Sequence, residues 1–346
     1  MAITLALLNA WKQLLTNCKL NDRESVVILL GDQSHPEHVD AARMAVTMLG
    51  ARGMSIQLGE APVVRVAGES TAYYAPTALT GNLPAMEAMK RCDLVIDLMG
   101  MYRGSEQEEI LAAGTRIILV KEPPEVMMRL LSSPDDRKRV LAGHAVLAGA
   151  KTMHVTSAAG SDMTVRFGQY ATLMQYGFAD EPGRWDHCPS AFVARWPDEL
   201  SANGTIVLAP GDTILPFKSY VQTPIKLTIR DGSIRQIDGG LDARYLRDYM
   251  ANFNDPDGYA VSHLGWGLHR KASWTALGMY DKRQTNGMDA RSFWGSFMFS
   301  TGPNAEGGGT RHTPCHLDIP MNDCSVSVDG VPMVINGEVV APDQRG

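Results

Sequence analysis

Across residues 1–150, short apolar runs alternate with stretches of helical spacing. SVVILLG at 25–31 is a β-branched run ending in glycine and predicts a buried strand. A helix follows over 36–49, with His38, Ala41, Ala42, Ala45 and Met48 along its apolar face. The same alternation predicts a strand at 54–58, a helix over 83–92, a strand at 93–99, a short helix over 106–113 and a strand at 115–120. Strands separated by helices point to a parallel sheet with right-handed crossovers. The opening MAITLALLNAWKQLL has no basic leader and no small-residue cleavage site, so it reads as an amphipathic first helix.

The texture changes near residue 150. Short β-branched segments at 152–156, 163–167, 204–208, 225–229 and 325–328 are punctuated by Gly, Asp, Asn or Pro. RDGS at 230–233 and VDGV at 328–331 carry Asp-Gly, a strong hairpin signal. One clear helix spans 241–252. The expected fold is therefore an α/β, Rossmann-like domain over 1–150 with a mainly parallel sheet. A mostly antiparallel, β-rich α+β domain of barrel-like form follows over 151–346.

Composition narrows the function classes. The chain has 346 residues, 45% hydrophobic and 20% charged, as ordinary globular proteins do, and this length suits two domains. Its net charge of -6 is spread out, and no basic block argues for nucleic acid. Five scattered cysteines without a CxxC pair fit reduced thiols and a cytoplasmic location. No long apolar run predicts a membrane span. Neither GxGxxG nor GxxxxGK[ST] occurs, so the first half carries no nucleotide fingerprint.

Candidate chemistry lies in three places. In TPCHLDIP (313–320), an extended backbone puts His316 and Asp318 on one face with Leu317 opposite, which makes two potential metal ligands. A third is His263 in VSHLGWG (261–267), where flanking glycines would let the backbone approach a metal. Two histidines and one carboxylate on one face leave coordination positions open, as in non-haem Fe(II) oxygenases. An HxD pair alone reads more readily as an edge-strand surface pair. Cys315 alternates to the other face as a small buried hydrophobe. The loop GFADEPGRWDHCP (177–189) offers His187 as a general base and Arg184 as a grip for an anionic oxygen. A structural loop with a self-satisfied Arg–Asp pair is the equal alternative. The segment 289–304 reads as core strand followed by a turn at STGPN (300–304) whose hydroxyls reach the site. His35, His38, His144 and His154 read as ordinary surface or core histidines.

These motifs resemble a known family. AGSDM (159–163), GFADEPGRWDH (177–187), GDTILPFK (211–218), YLRDYM (245–250), FNDP (253–256), SHLGWGL (262–268), FSTGPN (299–304) and TPCHLDIP (313–320) are similar to the 2,5-dihydroxypyridine 5,6-dioxygenases of nicotinate catabolism. ALTGNL (78–83), GTRIILV (114–120) and EPPEV (122–126) extend the likeness over nearly the whole chain. The resemblance implies a fold shared with thermophilic metallo-aminopeptidases and a homo-oligomer. It also implies one Fe(II) on His263, His316 and Asp318, with O2 as co-substrate and the ring opened between C5 and C6 to N-formylmaleamate. His187 and Ser300 are implied to act near the substrate. Two positions depart from the family pattern: Arg103 stands where it carries histidine, and Gln175 where it carries glutamate. Both changes move the pocket towards positive charge and predict a ring bearing an extra anionic group. The rival reading is a metallo-aminopeptidase, which would need further bridging carboxylates, Glu306 and Asp289 being the nearest in sequence.

Overall fold

Helices connect the first four strands, and crossovers of that length are what parallel pairing requires. The computed structural model describes residues 3–59, 77–101 and 104–345. Its parallel sheet runs in the order Arg52–Gln57, Ser25–Leu30, Leu94–Asp97, Arg116–Val120 and Trp185–Cys188. All four junctions are parallel. The fifth strand comes from beyond residue 150, within the segment expected to be loop. Four residues between Pro/Gly-rich flanks are too few to show a period, and the empty edge beside Arg116–Val120 recruits them.

The first helix, Leu5–Asn17, is capped by the Thr4 hydroxyl, which accepts from the Leu7 amide. It buries Leu7, Ala10, Trp11, Leu14 and Leu15 against the helix Pro36–Met48. That second helix buries His38, Ala41, Ala42, Ala45 and Val46, while Met48, expected on the apolar face, is exposed. A 16-residue helix, Pro134–Gly149, has no counterpart in the periodicity reading. Its first turn is charged, and the signal that marks it is a capping box between Ser133 and Asp136.

His38 is a satisfied core histidine. The Trp11 indole N–H donates to Nδ1 (3.0 Å), and Nε2 donates to the Glu122 carbonyl (2.9 Å). Burial, only partly offset by that carbonyl, pushes its pKa down to about 4. The depressed value means the unfolded chain takes up a proton first as pH falls through 6.5. The stability from neutral His38 is therefore present above pH 6.5 and lost towards pH 4, about 2 kcal/mol of it by pH 5. Urea denaturation at pH 7.5 and pH 5 should show this loss, and His38→Gln should flatten the pH dependence. Parallel pH profiles for parent and variant would rule the contribution out.

Apart from Trp185–Cys188, the described strands beyond residue 150 pair antiparallel. Eight strands form an open ladder from Ser233–Gly239 at one edge to Glu338–Val339 at the other. A second sheet of five runs Leu317–Met321, Phe297–Thr301, Val261–Gly267, Phe192–Arg195 and Thr172–Gln175. No closed barrel forms among the described residues, contrary to the barrel-like expectation. Alternation with period two is the same in open and closed sheets, so the pattern could not separate them. Both Asp-Gly turns form as expected, with Asp231, Gly232, Asp329 and Gly330 all at positive φ. One buried cluster runs from Leu7 to Ala341 and packs the two halves together. All five cysteines are free and buried. Among the described residues, no helix is long and apolar enough to cross a membrane.

Candidate metal centre

Three neighbouring strands of the five-stranded antiparallel sheet carry Asp318, Ser300 and His263. Asp318 lies on the edge strand Leu317–Met321, and Ser300 pairs with it from Phe297–Thr301. His263 lies on the next strand, Val261–Gly267. Between the pairs Val261–Thr301 and Leu264–Phe299, Ser262 and His263 together face the single residue Ser300, which makes a β-bulge. The bulge re-aims the His263 side chain, and the Ser300 hydroxyl fixes it by donating to the His263 carbonyl at 2.8 Å. The Trp196 ring packs edge-on against His263, with centroids 5.5 Å apart.

The donor atoms converge. His263 Nε2 and His316 Nε2 lie 3.3 and 3.4 Å from Asp318 Oδ1. His316 Nδ1 bonds to the Thr301 carbonyl at 2.8 Å, so it carries the hydrogen and leaves the Nε2 lone pair for a metal. Asp318 Oδ1 is buried and receives no hydrogen bond. Ligand bonds of about 2.1 Å at right angles would set donors roughly 3 Å apart, close to what is seen. This donor set fits a divalent cation. Among the described residues, these three are the group of His, Cys, Asp and Glu able to hold one.

Asp318 stays ionised without the metal. Burial, the largest influence, works against its charge, but Arg291, His316 and His263 outweigh it and hold the carboxyl well below its usual range. Arg291 Nε donates to Asp318 Oδ2 at 2.6 Å. No sequence motif singled out this arginine, because it reaches the site from a separate short helix, Met288–Ser292.

His187 lies on the Trp185–Cys188 strand, fully buried, with Nε2 lacking a hydrogen-bond partner. Burial first, then the charges of Arg291 and Lys121, push its pKa down to about 3. Arg291 thus joins the two parts of the site: it holds Asp318, and its charge bears on His187. Lys121 comes from the carboxyl end of Arg116–Val120, where ligands of parallel sheets gather. It donates to the Met99 carbonyl at 3.2 Å. Nearby, Asp97 folds its loop by accepting from the Met99, Gly100 and Met101 amides at 3.0, 2.8 and 2.7 Å.

Two other expected substrate contacts, Arg184 and Gln175, have partners within the protein. Arg184 donates to Asp186 at 2.5 Å and stacks 3.7 Å from the Tyr176 ring centroid, the self-satisfied arrangement of the alternative reading. Gln175 is buried at a strand end, where its Oε1 accepts from Ser190 at 3.2 Å. Arg103 lies outside the described residues. The glycines around His263 serve strand packing rather than approach to a metal: a Cβ on Gly265 would sit 1.8 Å from the Val193 carbonyl oxygen. Cys315 is buried as expected, and its side chain fills the space beside Gly258.

Known proteins resemble the chain in sequence and in fold. A curated 2,5-dihydroxypyridine 5,6-dioxygenase from Pseudomonas putida is 49% identical over 327 residues, covering 94% of this chain and 93% of that protein. A solved 2,5-dihydroxypyridine dioxygenase from Pseudomonas putida KT2440 superposes with a TM-score of 0.95 at 48% identity, covering 98% of both chains. Wild-type AmpT from Thermus thermophilus superposes at 0.63 with 13% identity, over 97% of this chain and 99% of its own, a likeness of fold alone. The family model for 2,5-dihydroxypyridine 5,6-dioxygenase matches residues 6–341. With a family model matching residues 6–341 and a curated relative 49% identical over 94% of the chain, the chain belongs to the 2,5-dihydroxypyridine 5,6-dioxygenase family.

Proposed function

We propose that this chain is a dioxygenase that opens 2,5-dihydroxypyridine, or a close anionic analogue, between C5 and C6 to give N-formylmaleamate. Its metal is a single Fe(II) on His263, His316 and Asp318. The observation that carries the reading is the 49% identity over 94% of the chain, in a protein whose three ligand atoms lie within 4.8 Å of one another. When bound, the iron supplies the redox chemistry with O2, and the protein is left with binding, orientation and proton handling.

His187 is neutral across the physiological range, because burial and two cations disfavour its imidazolium. A neutral ring accepts the hydrogen bond of a substrate hydroxyl. The same two charges, Arg291 and Lys121, favour the ring oxygen as an anion once its proton passes to His187, the proposed base. Ser300 acts through the His263 backbone, keeping the bulge that aims the imidazole. Gln175, Arg184 and Arg103 remain our proposed substrate contacts, and the departures at 103 and 175 favour a ring with an additional anionic group. We further propose that the 1–150 and 151–346 division separates a scaffold from the metal-bearing half, and that the enzyme is a cytoplasmic homo-oligomer.

A two-metal peptidase would need additional bridging carboxylates. Asp289 is instead committed to Arg129, at 2.9 and 2.6 Å. The deciding experiment is oxygen uptake by the Fe(II)-loaded protein with a panel of hydroxypyridines under labelled O2. Both label atoms are expected in the ring-opened product. Peptide hydrolysis with no oxygen uptake would overturn the function, and best turnover of the unsubstituted ring would overturn the anionic-analogue refinement.

A further inference from the structure

The segment that ends in Arg291 is tied down largely from the other half of the chain. Glu122, fully buried just past the strand Arg116–Val120, accepts from the Thr285 hydroxyl at 2.7 Å and from the Met288 amide at 2.8 Å. Arg129 grips both oxygens of Asp289 at 2.9 and 2.6 Å, and the Ser273 amide adds a bond to the same carboxylate at 2.7 Å. Arg291 itself donates from Nη1 to the Asn286 carbonyl and from Nε to Asp318 Oδ2. Its guanidinium is thus held at Nη1 by its own anchored segment and at Nε by one oxygen of Asp318.

That geometry divides the two oxygens of Asp318. Oδ2 is taken by a charge-assisted bond of 2.6 Å, while Oδ1 receives none and faces both imidazoles. A carboxylate with both oxygens available can chelate a metal and fill two positions of its sphere. A carboxylate held by one oxygen fills one, and the position saved remains for a small ligand. The bond also sets the carboxylate plane, because Oδ2 cannot swing inward without breaking it.

We propose that Arg291 is a positioning residue: braced by Glu122 and Arg129 through its short helix, it keeps Asp318 a one-oxygen ligand and so preserves the open face of the metal. The inference rests on the metal reading above and goes beyond the ligand set to its denticity. It also gives the N-terminal half a task at the metal, because the brace starts at the carboxyl end of the parallel sheet.

Co(II), whose visible spectrum reports coordination number, serves as the probe on the metal-free full-length protein. Arg291→Gln should weaken Co(II) binding about 10–100-fold and shift its bands as the carboxylate closes onto the metal. Arg291→Lys keeps the charge but cannot span Asp318 and Asn286 together, so it should restore part of the affinity and leave the bands shifted. Circular dichroism identifies any misfolded variant, and Arg291→Lys then carries the test. Parent-like affinity and spectrum in the folded variants would overturn the positioning role. Asp318→Ala separates the two ideas: Co(II) binding as tight as in the parent would sink the metal reading itself. Loss of binding in Asp318→Ala, with no change at Arg291, would sink only the inference.

Discussion

Replacing His316 with alanine is expected to abolish ring opening and to release the metal, while the sheet stays folded. His316 supplies one of three donors, and its Nδ1 bond to the Thr301 carbonyl is made from just outside the strand Leu317–Met321. Alanine removes both, but the strand keeps its pairing from Leu317 to Met321 with Phe297–Thr301. A metal contributes several kcal/mol to a barrier of this kind, so the rate should fall by roughly a thousandfold or more. Iron content after desalting, together with oxygen uptake, checks the two halves of the expectation. Full activity in a folded His316→Ala protein would remove the metal argument altogether.

The second large effect comes from a residue that touches no substrate. Gly265→Ala should destabilise the protein by about 4 kcal/mol or more, the range reached when the backbone itself must move. An added Cβ would lie 1.8 Å from the Val193 carbonyl oxygen and 2.6 Å from the Ala194 Cα. Those atoms belong to the strand Phe192–Arg195, which pairs with Val261–Gly267 at Gly265 and Ala194. Relieving the overlap means parting the strand that carries His263 from its neighbour, two residues from the ligand. Urea denaturation of the variant measures the loss, and a midpoint equal to the parent's would show that the sheet absorbs the methyl group.

Much of the first half was legible because its strands and helices are long enough for their periods to show. The run at 25–31 became the strand Ser25–Leu30, and the helix expected over 36–49 became Pro36–Met48. Trp185–Cys188 was not legible, since a four-residue strand flanked by Pro and Gly looks like a loop until a sheet edge claims it. The helix Pro134–Gly149 was missed for another reason: its buried residues are interleaved with charge, and only its capping box marks it.

The site divides in the same way. His316 and Asp318 were legible as a pair because two residues of extended chain must share a face. His263 was legible as a candidate, but its role for the nearby glycines was misread, because close packing of strand on strand looks the same in sequence as close approach to a metal. Arg291 left no local signal, since its meaning lies in Asp318, twenty-seven positions away in the chain.

By itself, the sequence determined the longer elements of the first half, the two kinds of sheet and the residue types that make a ligand set, because these follow from local periods and local chemistry. Only the tertiary structure decided that the RWDH segment completes the parallel sheet, that a bulge turns His263 onto Asp318, and that Arg291 takes one carboxylate oxygen and leaves the other. Those outcomes depend on strand register and on contacts between distant segments, which no period along the chain encodes.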